Sequence, residues 1–403
     1  MGNKLKIIND PVYGFINLPF ESIYYLIQSP YVQRLRRIKQ LGLSNLVYPG
    51  AEHTRFSHSL GAMFLMTKAL YNLRQKGVTI TDAEYEATIK AILLHDTGHA
   101  PFSHCLESFF FKGHHEDISK LIMQKLGCEK EVIEIFDNTY KKRFLHQLVS
   151  SQVDIDRLDY LTRDSFFSGV SEGVIGTERI IHMFSVHNDE LVIDEKGVYS
   201  IEKFIISRRL MYWQVYMHKT VVGADCLLKN ILKRARFLAV RNLLNEKTYP
   251  VSRNLYYFLR NGQQTIDNEE AISHFILLDD SDVWSAVKSW SECDDKILSF
   301  LTQSLMNRNL GKLYIKTSPY TEDEIEKSSK SLVLRHNNAF SLDEIREYFS
   351  TTGEMLNRAY SFNDQQINIL YKNGEVKGIH EASDQLDENF LQKEIRKFYY
   401  HEI

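Results

Sequence analysis

Apolar side chains recur three and four positions apart through SIYYLIQSPYVQRLRRIKQLG and HSLGAMFLMTKALYNLRQKG, and each stretch closes on a glycine. That is the pattern of helices with one buried face and a residue that stops them. The same periodicity dominates residues 20–235. Alternation replaces it at ELVIDEKGVYSI (Glu190 to Ile201), which predicts a short strand pair turning at the glycine. Helices resume from Glu202 to about Leu244. After NRNLG (Asn307 to Gly311) the texture changes: KLYIK reads as a strand, and INILYKNGEVKGI as a hairpin with Asn373-Gly374 at its turn. The chain therefore reads as mainly α, with a helical core and its helical extension over 1–310 and a small α/β domain over 311–403. It carries no internal repeat.

Composition narrows the class without changing that picture. With 403 residues, 43% hydrophobic and 25% charged, the chain is an ordinary folded protein, and 7 Pro and 19 Gly are too few for an all-β sandwich. Cys105, Cys128, Cys226 and Cys293 form no CxxC pair, so neither a disulfide framework nor a cysteine zinc site is expected. No segment approaches the apolar length of a membrane span, and the expected location is the cytoplasm. The net charge of −3 is unevenly spread. Residues 1–100 carry 11 Lys+Arg against 7 Asp+Glu, while residues 311–403 carry 12 against 16. Arg34, Arg36, Arg37 and Lys39 contribute to the positive end, a cluster suited either to phosphates or to a solvated helix face.

The chemistry concentrates in AILLHDTGHAPFSH (Ala91 to His104), where an apolar helix runs into His95-Asp96, with His99 one turn later and His104 beyond Pro101. Ionisable groups at the end of a buried helix are costly unless paired, and a metal ion is a strong partner for them. Two other segments supply matching groups. In HTRFSHSLG, Arg55 and His58 are three apart and share a helix face, and in VDIDRLDYLTRD the residues Asp156, Tyr160 and Asp164 recur every fourth position opposite Ile155, Leu158 and Leu161. Taken alone, His95-Asp96 reads equally well as a solvated pair at a helix end. Cys105 reads as a packed thiol, and His53, His114 and His218 are assigned no chemistry.

The order His58, His95-Asp96, Asp156 resembles the HD-domain metal phosphohydrolases. Seven ordered segments extend the likeness: INDPVYG, QRLRRIKQLG, PGAEHTRFSHSLG, LLHDTGHAPFSH, HHE (His114 to Glu116), DIDRLDYLTRD and RRLMYWQVYMHK. Together they resemble the deoxynucleoside triphosphate triphosphohydrolases, both the bacterial dGTP hydrolases and the catalytic core of the vertebrate enzyme that carries a sterile-alpha-motif domain. The likeness covers about residues 6–235.

That resemblance implies an HD-type helical core whose single divalent metal is held by His58, His95, Asp96 and Asp156. Such a donor set is compatible with Mn, Fe, Zn, Ni or Co, and Mg would accompany the triphosphate. The implied reaction is attack of water on the α-phosphorus, releasing deoxynucleoside and inorganic triphosphate. His99, His104 and His115 would stand around the α-phosphate as catalytic groups, with Glu116 orienting the His115 ring. Arg55, Arg157 and Arg208 would bind phosphate oxygens. Gln40 and Leu41 would line the sugar, Tyr160 and Asp164 its 3′ side, and Tyr216 the wall near C2′.

The resemblance also implies a homo-oligomer, dimer or tetramer, with a nucleotide effector between subunits at Lys6 and Arg36. Gln28 stands where the vertebrate pattern has an acidic residue and argues against guanine-specific activation. Two other readings stand beside the dNTP hydrolase: an HD phosphohydrolase acting on nucleoside monophosphates or another phosphoester, and a nucleic-acid-binding protein with a vestigial metal site, which would meet single strands on the basic N-terminal face.

Overall fold

The computed structural model describes residues 6–244, 250–357, 360, 366–386 and 395–401. The chain opens with an antiparallel hairpin, β1 (Ile7–Asp10) and β2 (Gly14–Asn17), turned by Asp10, whose Oδ1 accepts the N–H groups of Val12 and Tyr13. Helix α1 (Glu21–Gln28) stops at Ser29-Pro30, and Ser29 caps α2 (Pro30–Arg34), so the first long periodic stretch is broken where proline sits best, at a helix start. The HD region proper is helical: α3 (Arg55–Gln75), α4 (Asp82–Leu94), α5 (Glu107–Phe110), then β3 (Phe111–Lys112), α6 (His115–Lys125), α7 (Lys130–Phe136), α8 (Arg143–Val149) and α9 (Ile155–Ser168). Thr81 and Glu84 form a reciprocal capping box at the start of α4.

Beyond it run α10 (Thr177–Met183), β4 (Phe184–His187), β5 (Glu190–Asp194) and α11 (Val198–Met211), which continues into one π-helical turn, Tyr212–Tyr216. The strand pair expected within Glu190–Ile201 is displaced. Its partner strand lies upstream, the turn is Asn188-Asp189 with both residues left-handed, and Val198 already begins a helix. Asn and Asp tolerate the left-handed conformation a two-residue hairpin needs, which is why the turn forms there and not at Gly197.

A second helical layer follows with α12 (Lys219–Val240), α13 (Arg253–Asn261), β6 (Gln264–Thr265), α14 (Glu269–Phe275), α15 (Asp280–Trp290) and α16 (Lys296–Met306). Then come β7 (Lys312–Lys316), α17 (Glu322–Arg335), β8 (Ser350–Leu356), β9 (Asn368–Leu370), β10 (Val376–Gly378) and β11 (Ile395–His401). The molecule is mainly α with small sheets, including strands at the C-terminal end. These strands join two sheets: β11 lies between β7 and β8, whereas the expected β9–β10 hairpin attaches to the core through parallel pairing of β9 with β5. Among the described residues no helix is long and apolar enough to cross a membrane.

Two apolar clusters hold these layers. One gathers the buried faces of α3, α4, α9 and α11; the other gathers α12 to α16 together with Ala100, Phe102, Cys105 and Leu106. The segment after His95 thus crosses from one core to the other.

Candidate metal centre and its histidine neighbours

His58 lies one turn into α3, His95 caps the C-terminus of α4, and Asp156 occupies the first turn of α9 behind its N-cap Asp154, whose Oδ1 accepts the Arg157 N–H at 2.7 Å. Three helix ends therefore converge. His58 Nε2 stands 3.3 Å from His95 Nε2 and 3.0 Å from Asp156 Oδ1, and His95 Nε2 is 3.4 Å from the same oxygen. Asp96 adds Oδ1 at 3.3 Å from His95 Nε2 and Oδ2 at 3.6 Å from His58 Nε2. Donor atoms bound about 2.1 Å from one ion stand about 3.0–3.4 Å apart, so these separations fit a common divalent centre.

The outer ring nitrogens agree. His58 Nδ1 meets Asp159 Oδ2 at 2.7 Å and His95 Nδ1 meets the Ile92 carbonyl at 2.6 Å. Acceptors at both Nδ1 atoms place the protons there and leave both Nε2 lone pairs facing inward. Burial opposes a charge on His58, yet hydrogen bonds to Asp156 and Asp159 outweigh it and push its pKa up to about 10. Burial likewise opposes ionisation of Asp96, and the charges of Arg55, His95 and His99 hold it well below the usual carboxylate range.

A second group adjoins through Asp96, whose Oδ1 is 3.2 Å from His99 Nε2. His99 stacks on His115 with ring centroids 3.7 Å apart, and His104 meets His99 edge-on at 4.9 Å. Gly98 makes this approach feasible, because a Cβ there would lie 2.1 Å from the His115 carbonyl oxygen. Phe102 and Ser103 both adopt left-handed backbone (φ 56° and 54°), a strained bend held by Phe102 N–H donating to Asp280 Oδ1 at 2.7 Å and by Ser103 Oγ donating to the Lys39 carbonyl at 3.0 Å. The bend carries His104 out of the core. Burial, then the charges of Arg55 and His115, holds His99 well below the ordinary histidine pKa, so it is neutral at neutral pH.

Glu107 is the residue the sequence reading missed. Its Oε1 accepts from His115 Nδ1 at 2.7 Å and its Oε2 meets His104 Nδ1 at 3.1 Å. Burial disfavours its charge, but hydrogen bonds from His104 and His115 pull its pKa far down. Glu116, expected to orient His115, is mostly exposed and 3.5 Å from Nε2, so orientation through the first ring nitrogen falls to Glu107. The only signal was His104-x-x-Glu107, an i,i+3 pair. Among the described residues His99, His104, Glu107 and His115 form one cluster of potential ligand atoms, and His58, His95 and Asp156 the other.

The remaining expected residues line this region unevenly. Arg55 donates to Asp96 Oδ2 at 2.6 Å and to Ser103 Oγ at 2.8 Å, which leaves its Nη2 donors unused by either bond. Arg157 is held by its own helix start, through the Ser151 carbonyl and Asp154 Oδ2 at 3.1 Å. Arg208 is buried near Tyr212. Asp164 receives Tyr216 OH at 2.9 Å and lies 2.8 Å from His53 Nε2, so His53, assigned no chemistry from sequence, fixes that carboxylate. Tyr160 meets Tyr216 edge-on at 6.2 Å. Gln40 Oε1 is buried without a hydrogen-bond partner among the described residues, and Leu41 packs against the first apolar cluster.

The basic cluster at Arg34–Arg37 is neither a phosphate site nor a solvated face at its first member. Arg34 is fully buried and donates to the carbonyls of Leu278, Thr97 and His99 at 2.5, 3.3 and 2.9 Å. It pins the backbone that carries the histidines. Arg37 pairs with Asp279, and Arg36 lies over the Phe56 ring.

Comparison with known proteins agrees with this geometry. Residues 55–164 match the HD domain family and residues 175–252 the HD associated region. The chain is 35% identical over 329 residues to the uncharacterized protein YwfO of Bacillus subtilis, covering 79% of this chain and 73% of that protein. The crystal structure of a phosphohydrolase from Bacteroides thetaiotaomicron superposes with a TM-score of 0.93 at 46% identity, covering 99% of this chain and all of that one. A Dictyostelium discoideum protein named as a deoxynucleoside triphosphate triphosphohydrolase SAMHD1 homolog is 30% identical over 267 residues, 60% of this chain and about half (52%) of that protein. With its buried His/Asp cluster suited to a divalent metal, the chain belongs to the HD-domain phosphohydrolases.

Proposed function

We propose that this phosphohydrolase cleaves deoxynucleoside triphosphates to deoxynucleoside and inorganic triphosphate. The observation that carries the reading is the adjacency of the two clusters: Asp96 touches both the metal-side histidines and His99, so a phosphorus held at the cation also faces His99, His115 and His104. Support comes also from the relative named as a dNTP triphosphohydrolase. The residues that would hold the cation are His58, His95, Asp96 and Asp156. When bound, it polarises a phosphate oxygen and lowers the pKa of bound water.

The chain supplies the rest. His115, its Nδ1 held by Glu107, stacks on His99, and these two rings together with His104 would supply a proton to the leaving nucleoside oxygen. Arg55 Nη2, Arg208 and Arg157 neutralise the triphosphate. In the sugar pocket, Asp164 held by His53 and Tyr216 reads the 3′-OH beside Tyr160, and the Tyr216 ring stands against C2′ with Gln40 and Leu41 opposite. A 2′-OH would clash or lose hydration at a cost of about 1–3 kcal/mol for each effect.

The decisive test is an assay of the four dNTPs and four NTPs with Mn²⁺ or Mg²⁺ that resolves triphosphate from monophosphate. Triphosphate release from dNTPs, with NTPs poor substrates and Tyr216→Ala relaxing that preference, supports the reading. Monophosphate as first product, or equal cleavage of ATP and dATP, overturns it. The same reading includes a homo-oligomer with a nucleotide effector between subunits, which light scattering with and without dNTP would test.

A further inference from the structure

Behind the acceptor of His58 Nδ1 runs a chain of buried charges, Asp159 to Arg163 to Asp10, whose outer members neither metal binding nor hydrolysis has so far used. Asp159, on the same face of α9 as Asp156, accepts from His58 Nδ1. Its two oxygens also receive Arg163, Nε to Oδ2 at 2.9 Å and Nη2 to Oδ1 at 3.1 Å. Arg163 then reaches out of the helical core to the N-terminal hairpin, where Nη1 donates to Asp10 Oδ2 at 2.8 Å. Asp159 and Arg163 are fully buried and Asp10 is 4% exposed. Gly61, one turn beyond His58 on α3, makes room for the pair: a Cβ there would lie 2.0 Å from Asp159 Oδ1 and 2.1 Å from Arg163 Nη2.

From this geometry we infer that Asp159, Arg163 and Asp10 are positioning residues for the metal centre, and that the hairpin β1–β2 is part of the metal-binding apparatus although its Asp10 lies 45 residues before the matched HD region begins. The physical argument concerns the tautomer. His58 can offer Nε2 to a cation only if its proton resides on Nδ1, and Asp159 is the acceptor that keeps it there. Asp159 could itself rotate, since a carboxylate accepts along four directions; Arg163 fixes it with two donors. Arg163 needs a second carboxylate, because a buried guanidinium facing a single aspartate that also serves His58 would draw that aspartate towards itself and away from the ring. Asp10 supplies it. Its other oxygen is engaged by the backbone of the hairpin turn, so Asp10 moves only if the turn moves. The relay thus ties one imidazole orientation to the register of the N-terminal hairpin, with Gly61 as the steric opening.

The inference rests on the metal centre and not on the substrate, so it is tested without nucleotide. Apo protein is titrated with Mn²⁺ by calorimetry at a temperature far below unfolding, and ¹⁵N imidazole shifts read the His58 tautomer. Asp159→Asn should weaken Mn²⁺ binding about 10–100-fold, the usual cost of losing an outer partner of a ligating histidine, and should give mixed His58 tautomers. Asp10→Asn should move both readouts in the same direction by less, and Gly61→Ala should do so with every relay side chain intact. Arg163→Lys, which keeps the charge and loses the fork, should recover part of what Arg163→Met loses. A merely structural relay would lower the unfolding temperature of these variants while leaving Mn²⁺ affinity and the Nδ1–H tautomer as in the parent protein, and that result overturns the inference. Should Asp159→Asn fail to fold, Asp10→Asn and Gly61→Ala decide it by the same two readouts.

Discussion

The two histidine clusters use the same side chains in opposite ways. On the metal side His58 and His95 are 0% and 10% exposed, stand on long helices of one apolar core, and have each Nδ1 tied to an acceptor. On the other side exposure climbs from His99 at 2% through His115 at 17% to His104 at 70%, and the bearing segment is a strained bend pinned between two cores. Under the proposed function, the difference separates two tasks. A site that must hold a cation gains from rigidity and exclusion of water, whereas one that must meet a large anionic substrate and exchange protons needs an open edge. Asp96, in contact with both, is where the two requirements meet.

The sharpest way to break this comparison is to remove one ligand. Asp156→Ala leaves two Nε2 lone pairs with Asp96, already shared with Arg55, as the one remaining carboxylate to balance a dication. Mn²⁺ affinity should fall by more than about 100-fold, beyond the loss expected for an outer partner, and turnover should fall to background. Metal content by plasma emission spectroscopy checks the first outcome and a product assay the second. Full occupancy with full activity would mean that the cluster is not the metal centre.

The next test separates the clusters. His115→Ala removes a ring that stacks on His99 but touches no metal-side donor, so Mn²⁺ affinity should stay at the parent value while kcat falls about 10²–10⁴-fold, the range for a positioned acid–base group. Paired loss of metal and turnover would instead merge the two clusters into one binding site.

Legibility followed the same divide. His58, His95-Asp96 and Asp156 could be read because each sits at a fixed offset in a local motif, and the apolar stretches around them, such as AILL before His95, announce burial. Helices α3, α4, α9 and α12 could be read from periodicity for the same reason. What escaped was set by long-range contact. Arg34 belongs to a basic run that suggests phosphate, and only the fold shows three carbonyls from Leu278, Thr97 and His99 converging on it. The parallel pairing of β9 with β5 joins residues about 175 apart, which no local pattern announces. Asn188-Asp189 lost to Gly197 as a turn because glycine is the louder signal, although both Asn and Asp tolerate positive φ. Asp159 lay in the motif itself, but the fourfold spacing of Asp156, Tyr160 and Asp164 drew attention from a carboxylate three positions on.

The smallest effects should resolve the two glutamates beside His115. Glu107 takes charge-assisted hydrogen bonds from two histidine rings and from the His115 backbone N–H at 2.7 Å, and it is largely shielded from solvent. Glu107→Gln keeps the shape but replaces a carboxylate by an amide that accepts at one atom and donates at the other. One ring must then lose its acceptor, at about 1.5–3 kcal/mol for a bond to a charged group, or about 10–100-fold in kcat. Glu116 is 58% exposed and only 3.5 Å from His115 Nε2, so Glu116→Gln should cost no more than a solvent-exposed ion pair, about 0–1 kcal/mol, or at most about fivefold. Neither substitution should alter Mn²⁺ affinity. Steady-state kcat for the two variants side by side, with metal titration as the control, checks the assignment; a larger loss for Glu116→Gln than for Glu107→Gln would return the orienting role to Glu116 and place its carboxylate on the substrate side of the ring.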